Sequence, residues 1–283
     1  MILFSARGKA RPRFFTHLIV IAGCVLMIYP ILWMVSASIK PETEIFTTSS
    51  LLPSSWSLDN YVQGWNALSY PFGTFFINSC IVCAGAVLGN LIACSMAAFA
   101  FARLRFKFKG FWFALMLGTI MLPANVVIVP QYVLFKSLGW VNTFLPLIVP
   151  KFLATDAFFI FLLVQFIRAI PRDLDDAARI DGCNLFQRYW RIIMPLAMPA
   201  LATTAIFTFI FTFNEFFNQL IFLNDQASYT VPIALRAFQD SSDVSSFGQL
   251  FAMSVLSLIP IFGFFVAFQR LLIEGISTSG IKG

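Results

Sequence analysis

The chain has 283 residues, of which 59% are hydrophobic and 11% are charged, and its mean hydropathy is +0.83. Soluble domains carry about one quarter charged residues, so this composition excludes a soluble globular protein and indicates an integral membrane protein. The net charge of +6 follows largely from basic turns beside apolar stretches, which explains it without a nucleic-acid partner.

Six apolar stretches reach the length of about 20 residues that a helix needs to cross the hydrocarbon core. They predict an all-α, polytopic membrane protein with six transmembrane helices. The predicted spans are residues 14–36, 78–101, 110–129, 147–166, 199–223 and 249–268. The predicted domains are a basic tail (1–13), a six-helix transmembrane domain (14–272) and a C-terminal tail (273–283).

The basic residues predict the orientation of these spans. Most of the 19 Lys and Arg residues fall on one side of the membrane if the amino terminus is inside. Four remain on the other side: Lys40, Lys136, Lys151 and Arg236. The positive-inside rule therefore predicts that both termini and the polar stretch between the fourth and fifth spans are cytoplasmic.

The second span contains Cys80 and Cys83 in a CxxC pattern, but no histidine lies nearby. We interpret these cysteines as small packing residues and expect no metal site. In the third span, Pro123 and Pro130 should kink or break the helix near its outer end. Such a break fits a gate element or an ordinary helix terminus, and the sequence leaves both open.

The fourth and fifth predicted spans carry polar side chains, which are costly in a membrane and are therefore candidates for a transport pathway. The pathway candidates are Asp156 and Gln165 in the fourth span, and Phe213, Asn214, Glu215, Phe217 and Asn218 in the fifth. An uninterrupted fifth helix would place Asn214 and Asn218 on one face. Amides, carboxylates and aromatic rings together suit hydroxyl-rich solutes, although hydrogen bonding between helices explains them equally well.

The cytoplasmic stretch 175–199 reads as helix, turn, helix. Asp173 is the expected N-cap of the first helix, with Asp176 at its third position, and Gly182 is expected to end that helix in a left-handed conformation. Asn184 and Gln187 have the spacing of a capping box at the start of the second helix. The apolar face predicted for that helix consists of Leu185, Tyr189, Ile192 and Ile193.

The external loop 224–247 is long enough to contact a partner, although a solvated loop is the simpler interpretation. The sequence contains no phosphate-binding loop and no zinc-protease motif, so we predict a protein that is not an enzyme and does not hydrolyse nucleotides unaided.

The cytoplasmic stretch resembles a motif of fixed spacing. The matching residues are Asp176, Ala177, Ala178, Asp181, Gly182 and Pro195. This series is similar to the EAA loop of ABC importer permeases, and residues 29–34, 97–103 and 214–216 resemble carbohydrate-uptake permeases. The resemblance runs from about residue 29 to residue 283, and it is to the second permease subunit of maltose-type importers.

The resemblance implies the type I ABC importer permease fold and a coupling loop, 172–195, that docks on a cytoplasmic ATPase. In this role Asp176 takes the place of a Glu that pairs with a basic residue of the ATPase. The implied partners are a second permease subunit, two ATPase subunits that bind ATP and Mg²⁺, an extracytoplasmic solute-binding protein and membrane lipid. No cofactor is expected on this chain, and the expected location is the inner membrane of a bacterial or archaeal cell.

Three positions depart from the family motif: Asp176 replaces Glu, Cys183 replaces Ala and Met194 replaces Leu. Because Asp is one methylene shorter than Glu, a capping role for Asp176 competes with the ATPase contact. The leading hypothesis is a permease for a sugar or oligosaccharide. A permease for glycerol phosphate or another small solute, and a membrane docking or assembly protein, are the alternatives.

Overall fold

The computed structural model describes residues 13–48, 50–240 and 247–279. Residues 1–12 of the predicted basic tail and 280–283 of the predicted C-terminal tail lie outside the described part. Within it the chain is helical and contains no strand, which confirms the all-α prediction. The helices are α1 (Arg13–Ser38), α2 (Asp59–Trp65), α3 (Phe72–Arg103), α4 (Lys109–Thr119), α5 (Ala124–Ser137), α6 (Leu145–Ile148), α7 (Ala157–Ala169), α8 (Asp173–Ile180), α9 (Leu185–Gln187), α10 (Met194–Leu196), α11 (Met198–Asn214), α12 (Phe217–Phe222), α13 (Val231–Asp240) and α14 (Phe247–Ser279).

Four segments of the described chain are long and apolar enough to cross a membrane: Phe15–Ser38, Phe72–Arg103, Leu145–Ala169 and Phe247–Arg270. A fifth is formed if α11 is combined with the preceding segment Leu185–Leu196, at a bend of 77°. The structure therefore does not confirm a count of six continuous spans. The helical break predicted in the third span is present: α4 ends at Thr119, and α5 begins directly after Pro123, whereas Pro130 lies inside α5.

The core of the bundle is built around α3, which packs against α7 and α11. Small residues on α3 allow the predicted fourth span, which lies within Leu145–Ala169, to approach closely. A Cβ atom on Gly85 would lie 2.8 Å from the side chain of Ile148, and a Cβ atom on Gly89 would lie 2.9 Å from the Cβ of Lys151. These glycines fix the fourth span where it unwinds into the 3₁₀ turn Val149–Leu153, before α7.

The region predicted to be an external loop is more ordered than a solvated loop. The predicted external loop 224–247 contains α13, whose residues Val231, Ile233, Ala234 and Phe238 are buried. The amide of Asn78 on α3 holds the start of this region by donating to the carbonyls of Ala227 and Tyr229 at 2.8 Å. Within the described part of the loop, the solvated-loop interpretation is therefore wrong.

Candidate functional site

The segment after α7, which the sequence predicts to be cytoplasmic, begins with α8, whose first residue is Asp173. The preceding residue, Arg172, already has helical backbone angles and makes no side-chain capping hydrogen bond. The predicted N-cap role of Asp173 is therefore wrong, and Asp175 rather than Asp176 occupies the third helical position. The acidic first turn still lies at the positive end of the helix dipole.

α8 ends in the left-handed turn that the sequence predicts. Gly182 has φ +79°, which an L side chain rarely adopts. The amide of Cys183 donates to the carbonyl of Ala178 at 2.9 Å, and that of Gly182 donates to Arg179 at 3.1 Å. This pair of bonds is a Schellman motif, which satisfies the last carbonyls of the helix and fixes the direction of the next one.

The second helix begins with the predicted capping box. The Asn184 side chain accepts from the Gln187 amide at 2.8 Å, and the Gln187 side chain accepts from the Asn184 amide at 2.9 Å. The following residues, Arg188–Ile193, form a π-helical turn, so the buried face differs from the α-helical prediction. Tyr189 and Ile193 are buried, but Leu185 is half exposed. The Tyr189 hydroxyl lies 2.7 Å from that of Ser95 on α3.

A buried carboxylate ties α8 to the base of the bundle. Asp175 Oδ2 lies 3.1 Å from Arg103 Nε at the end of α3, and Asp175 Oδ1 lies 3.7 Å from Arg188 Nη1 in the π-helical turn. All three side chains are at least 90% buried, and Arg103 also donates to the carbonyl of Ile170 at 2.7 Å. The ion pairs therefore connect α8 and the π-helical turn to α3 and to the end of α7.

These helices also carry large apolar side chains that are exposed, beside exposed charged residues such as Asp176 and Arg179. Ile180, Phe186 and Trp190 are 86%, 68% and 61% exposed. Among the predicted coupling residues, Ala178 is buried, whereas the others are exposed: Asp176, Ala177, Asp181, Gly182 and Pro195. Asp176 contacts only Arg179 among the described charged residues, at 3.6 Å, and both side chains are about two-thirds exposed.

A cavity of about 910 Å³ lies between α4, α5, the 3₁₀ turn Val149–Leu153 and the junction of α11 and α12. It brings together three of the predicted pathway residues, Asp156, Glu215 and Asn218, with polar groups from α5 and α11. Its aromatic lining includes Trp112 and Phe211. The other predicted pathway residues do not line it: Phe213 is buried in the core, and Gln165, Asn214 and Phe217 are exposed elsewhere.

The fifth predicted span is interrupted at this cavity. α11 ends at Asn214, and Glu215 leaves the helical conformation with ψ 118°. The Glu215 carboxylate then accepts a hydrogen bond from the backbone amide of Asn218, at the start of α12, at 3.0 Å. The prediction that Asn214 and Asn218 share one helical face is therefore wrong, because no continuous helix joins them. The Asn214 side chain instead donates to the carbonyl of Ile210 at 2.8 Å.

The fourth predicted span is interrupted beside the same cavity. Lys151 lies in the 3₁₀ turn, Ala154 has φ +54°, and Asp156 precedes α7. Lys151 Nζ donates to Asp156 Oδ2 at 2.8 Å. Asn90 on α3 donates to the same oxygen at 2.6 Å and to the hydroxyl of Thr208 at 3.1 Å. The break therefore places a hydrogen-bonded ion pair in the cavity wall.

Within the described residues, no group of three or more His, Cys, Asp or Glu side chains is placed to hold a metal ion. Cys80 is exposed and Cys83 is buried, where its thiol lies 3.9 Å from the carbonyl of Phe209.

Residues 89–278 match the protein family described as "Binding-protein-dependent transport system inner membrane component". The match covers more than half of the chain. The protein belongs to this family. It is thus an ABC transporter permease, a transport subunit rather than an enzyme.

Curated relatives of this permease match over nearly their whole length. The probable ABC transporter permease protein YurM of Bacillus subtilis is 36% identical, over 95% of this chain and 86% of its own. The trehalose/maltose transport system permease protein MalG of Thermococcus litoralis is 31% identical, over 94% and 97%. The arabinooligosaccharides transport system permease protein AraQ of Halalkalibacterium halodurans is 33% identical, over 91% and 92%.

A solved structure has the same fold as this permease. A chain from the crystal structure of a bacterial ABC transporter, involved in the import of the acidic polysaccharide alginate, aligns with a TM-score of 0.82. The alignment covers 95% of this chain and 99% of the other, at 22% identity. At this identity the similarity shows the fold alone, which is that of a type I ABC importer permease.

The structure places several residues at these two sites for which the sequence predicts no such role. The sequence predicts no role for Asp175 beyond the start of the polar stretch. The available signal is its spacing from Ala178, which puts both residues on the buried face of α8. Lys151 is predicted to be external, and its pairing with Asp156 has no signal in an unbroken helix. Phe211 lines the cavity, whereas the predicted aromatic lining consists of its neighbours Phe213 and Phe217.

Proposed function

We propose that the chain is the permease subunit of an ATP-driven importer for a sugar or oligosaccharide, in the inner membrane of a bacterium or archaeon. Both termini are cytoplasmic in this proposal, in agreement with the distribution of Lys and Arg. The observation that carries the proposal is the rigid cytoplasmic helix pair, which is tied to the bundle through Asp175 and exposes apolar side chains.

This helix pair is suited to transmit movement from an ATPase. Ile180, Phe186 and Trp190 provide an exposed apolar surface that a cleft on the ATPase would cover. Asp176 and Arg179 add charges at its edge. Because α8 is held to α3 by buried ion pairs, a push on its surface moves the bundle as a rigid body rather than bending a loop. ATP and Mg²⁺ bind on the partner ATPase subunits.

The cavity is the proposed path of the solute through this subunit. Its volume lies in the range of small-molecule sites, about 300–1,000 Å³. Its polar groups hydrogen-bond to hydroxyls, while its aromatic rings contact the apolar faces of sugar rings. Glycerol phosphate fits less well, because Asp156 neutralises Lys151 and leaves Glu215 to repel an anion.

The complete transporter contains a second permease subunit, two ATPase subunits and an extracytoplasmic solute-binding protein that docks near α13. The relatives named for trehalose and maltose or for arabinooligosaccharides support a carbohydrate substrate. The alternating access of the cavity is driven by closure of the ATPase pair.

A glycine comparison tests the coupling role. Gly182 and Gly139 both have positive φ, +79° and +69°, and at both positions an added Cβ atom would lie in open space. Gly182→Val and Gly139→Val therefore introduce the same backbone strain in the cytoplasmic turn and at an outer turn. In proteoliposomes with the partner subunits, we expect Gly182→Val to reduce ATP-dependent maltose uptake at least tenfold while the complex still assembles. Equal uptake by the two variants would contradict the coupling role.

A further inference from the structure

The structure assigns a binding site for the hydroxyl groups of a neutral saccharide to Lys151 and Asp156, with the ring of Phe211 as its apolar surface. This inference rests on the proposed function and deepens it, because it places substrate contacts on named residues of this chain.

The ion pair keeps hydrogen-bonding capacity that faces the cavity. The side chains of Lys151 and Asp156 line the cavity and are 28% and 25% exposed. Lys151 Nζ uses one of its three hydrogens on Asp156, and both contacts to the Asp156 carboxylate go to Oδ2. Among the described residues, Oδ1 has no hydrogen-bond partner. The pair therefore offers donors and an acceptor side by side.

The position of Asp156 indicates a role other than helix capping. It immediately precedes α7, where an Asp side chain commonly accepts an amide of the first turn. Its side chain makes no such bond and turns to Lys151 and Asn90 instead. Asn90 is fully buried and also donates a hydrogen bond to the hydroxyl of Thr208. Its amide therefore holds the Asp156 carboxylate from the buried side.

The backbone of Lys151 packs closely against α3. A Cβ atom on Gly89 would lie 2.9 Å from Lys151 Cβ and 3.0 Å from its carbonyl carbon, so α3 supports the 3₁₀ turn directly. A site held by packing against a rigid helix is preorganised, which reduces the entropy lost when a ligand binds.

The chemistry of this site fits a neutral saccharide. A hydroxyl group both accepts and donates, so one or two adjacent hydroxyls can satisfy Lys151 and Asp156 together. Phe211 is 57% exposed and lines the same part of the cavity as the pair, where its ring can contact the apolar face of a sugar. Glu215 is the third charged group of the lining, which leaves one carboxylate in excess and disfavours an anionic sugar.

The test measures saccharide binding by the assembled transporter without its solute-binding protein, whose own selectivity is thereby removed. Equilibrium dialysis of the purified complex uses radiolabelled maltose as the neutral probe and digalacturonate as the acidic probe. The variants are Asp156→Asn, Phe211→Ala and the reversed pair Lys151→Asp with Asp156→Lys. Phe262→Ala, an exposed phenylalanine on α14 that does not line the cavity, is the matched control for Phe211.

We expect wild type to bind maltose at least tenfold more tightly than digalacturonate. Asp156→Asn leaves the charge of Lys151 unpaired and should shift this preference at least fivefold towards the acidic probe. The reversed pair keeps an ion pair, and a flip of the Asn90 amide accommodates it, but it exchanges donor and acceptor and should lose maltose binding at least tenfold. Phe211→Ala should weaken maltose binding threefold or more, and Phe262→Ala should not.

The inference would be overturned if the reversed pair bound maltose within twofold of wild type. It would also be overturned if Asp156→Asn kept the wild-type preference for maltose over digalacturonate. Either result would leave only a structural ion pair. Absence of maltose binding by the wild-type complex would also overturn the inference. ATP-dependent sugar uptake with the solute-binding protein present is measured in parallel. If uptake persists while direct binding fails, the proposed function stands and only the site assignment is lost.

Discussion

Asp175 Oδ2 lies 3.1 Å from Arg103 Nε, and this contact joins α8 to the end of the central helix α3. The side chains are about 10% and 4% exposed, so the pair is largely shielded from water. The contact therefore links α8 directly to α3, the helix that packs against both α7 and α11.

Asp175→Asn should destabilise the permease through this contact. It removes the charge that compensates two buried arginines, Arg103 and Arg188, and breaking a buried pair from one side costs about 3–5 kcal/mol. The expected result is a lower thermal unfolding temperature of the purified complex and a larger loss of uptake than of ATPase activity. Asp173→Asn, at an exposed carboxylate of the same helix, is the control, and equal unfolding temperatures of the two variants would refute the anchoring role.

Ile180→Ser should weaken the contact with the ATPase subunits without affecting the membrane bundle. Ile180 is 86% exposed and belongs to none of the buried clusters of the described chain, so its loss costs the fold little, but it removes apolar area that docking would bury. We expect ATPase co-purification to fall at least threefold while the two permease subunits stay together. Leu52→Ser, at an exposed apolar residue between α1 and α2, should leave co-purification unchanged. A similar loss in both variants would point to general destabilisation.

Tyr189→Phe should cost about 1 kcal/mol of stability, the usual net value of one hydrogen bond, because the Tyr189 and Ser95 hydroxyls lie 2.7 Å apart. The ring contact with Phe99, at 5.4 Å between centroids, is kept. Thermal unfolding of Tyr189→Phe, Ser95→Ala and the double variant forms a double-mutant cycle. Additive effects would show that the two hydroxyls do not interact.

Gly89→Ala should displace the turn that carries Lys151. The new methyl group would meet the Cβ and backbone of Lys151 at 2.9–3.0 Å, and such overpacking costs about 1–3 kcal/mol. We expect lower thermal stability and reduced sugar uptake. Gly118→Ala on α4, where nothing lies within 4 Å of the new atom, is the control and should be neutral or slightly stabilising. A neutral Gly89→Ala would mean that α3 does not support the turn.

The local features of the segment from α8 to α10 could be predicted from the sequence because their hydrogen bonds join residues close in the chain. The Asn184 and Gln187 capping box and the left-handed Gly182 are both present as predicted. The membrane character followed from hydropathy in the same way, since helix length and composition are properties of one segment. The ATPase role of Asp176, in contrast, stays a prediction.

The tertiary structure decided the features that depend on distant residues or on breaks in helices. Asp175 and Arg103 lie far apart in the chain, and burial alone selects Asp175 rather than its neighbours for the contact. Lys151 and Asp156 meet only because the fourth span unwinds between them, and Asn214 and Asn218 separate because the fifth span ends at Asn214. Periodicity assumes an unbroken helix, so it could not locate the cavity that these interruptions create.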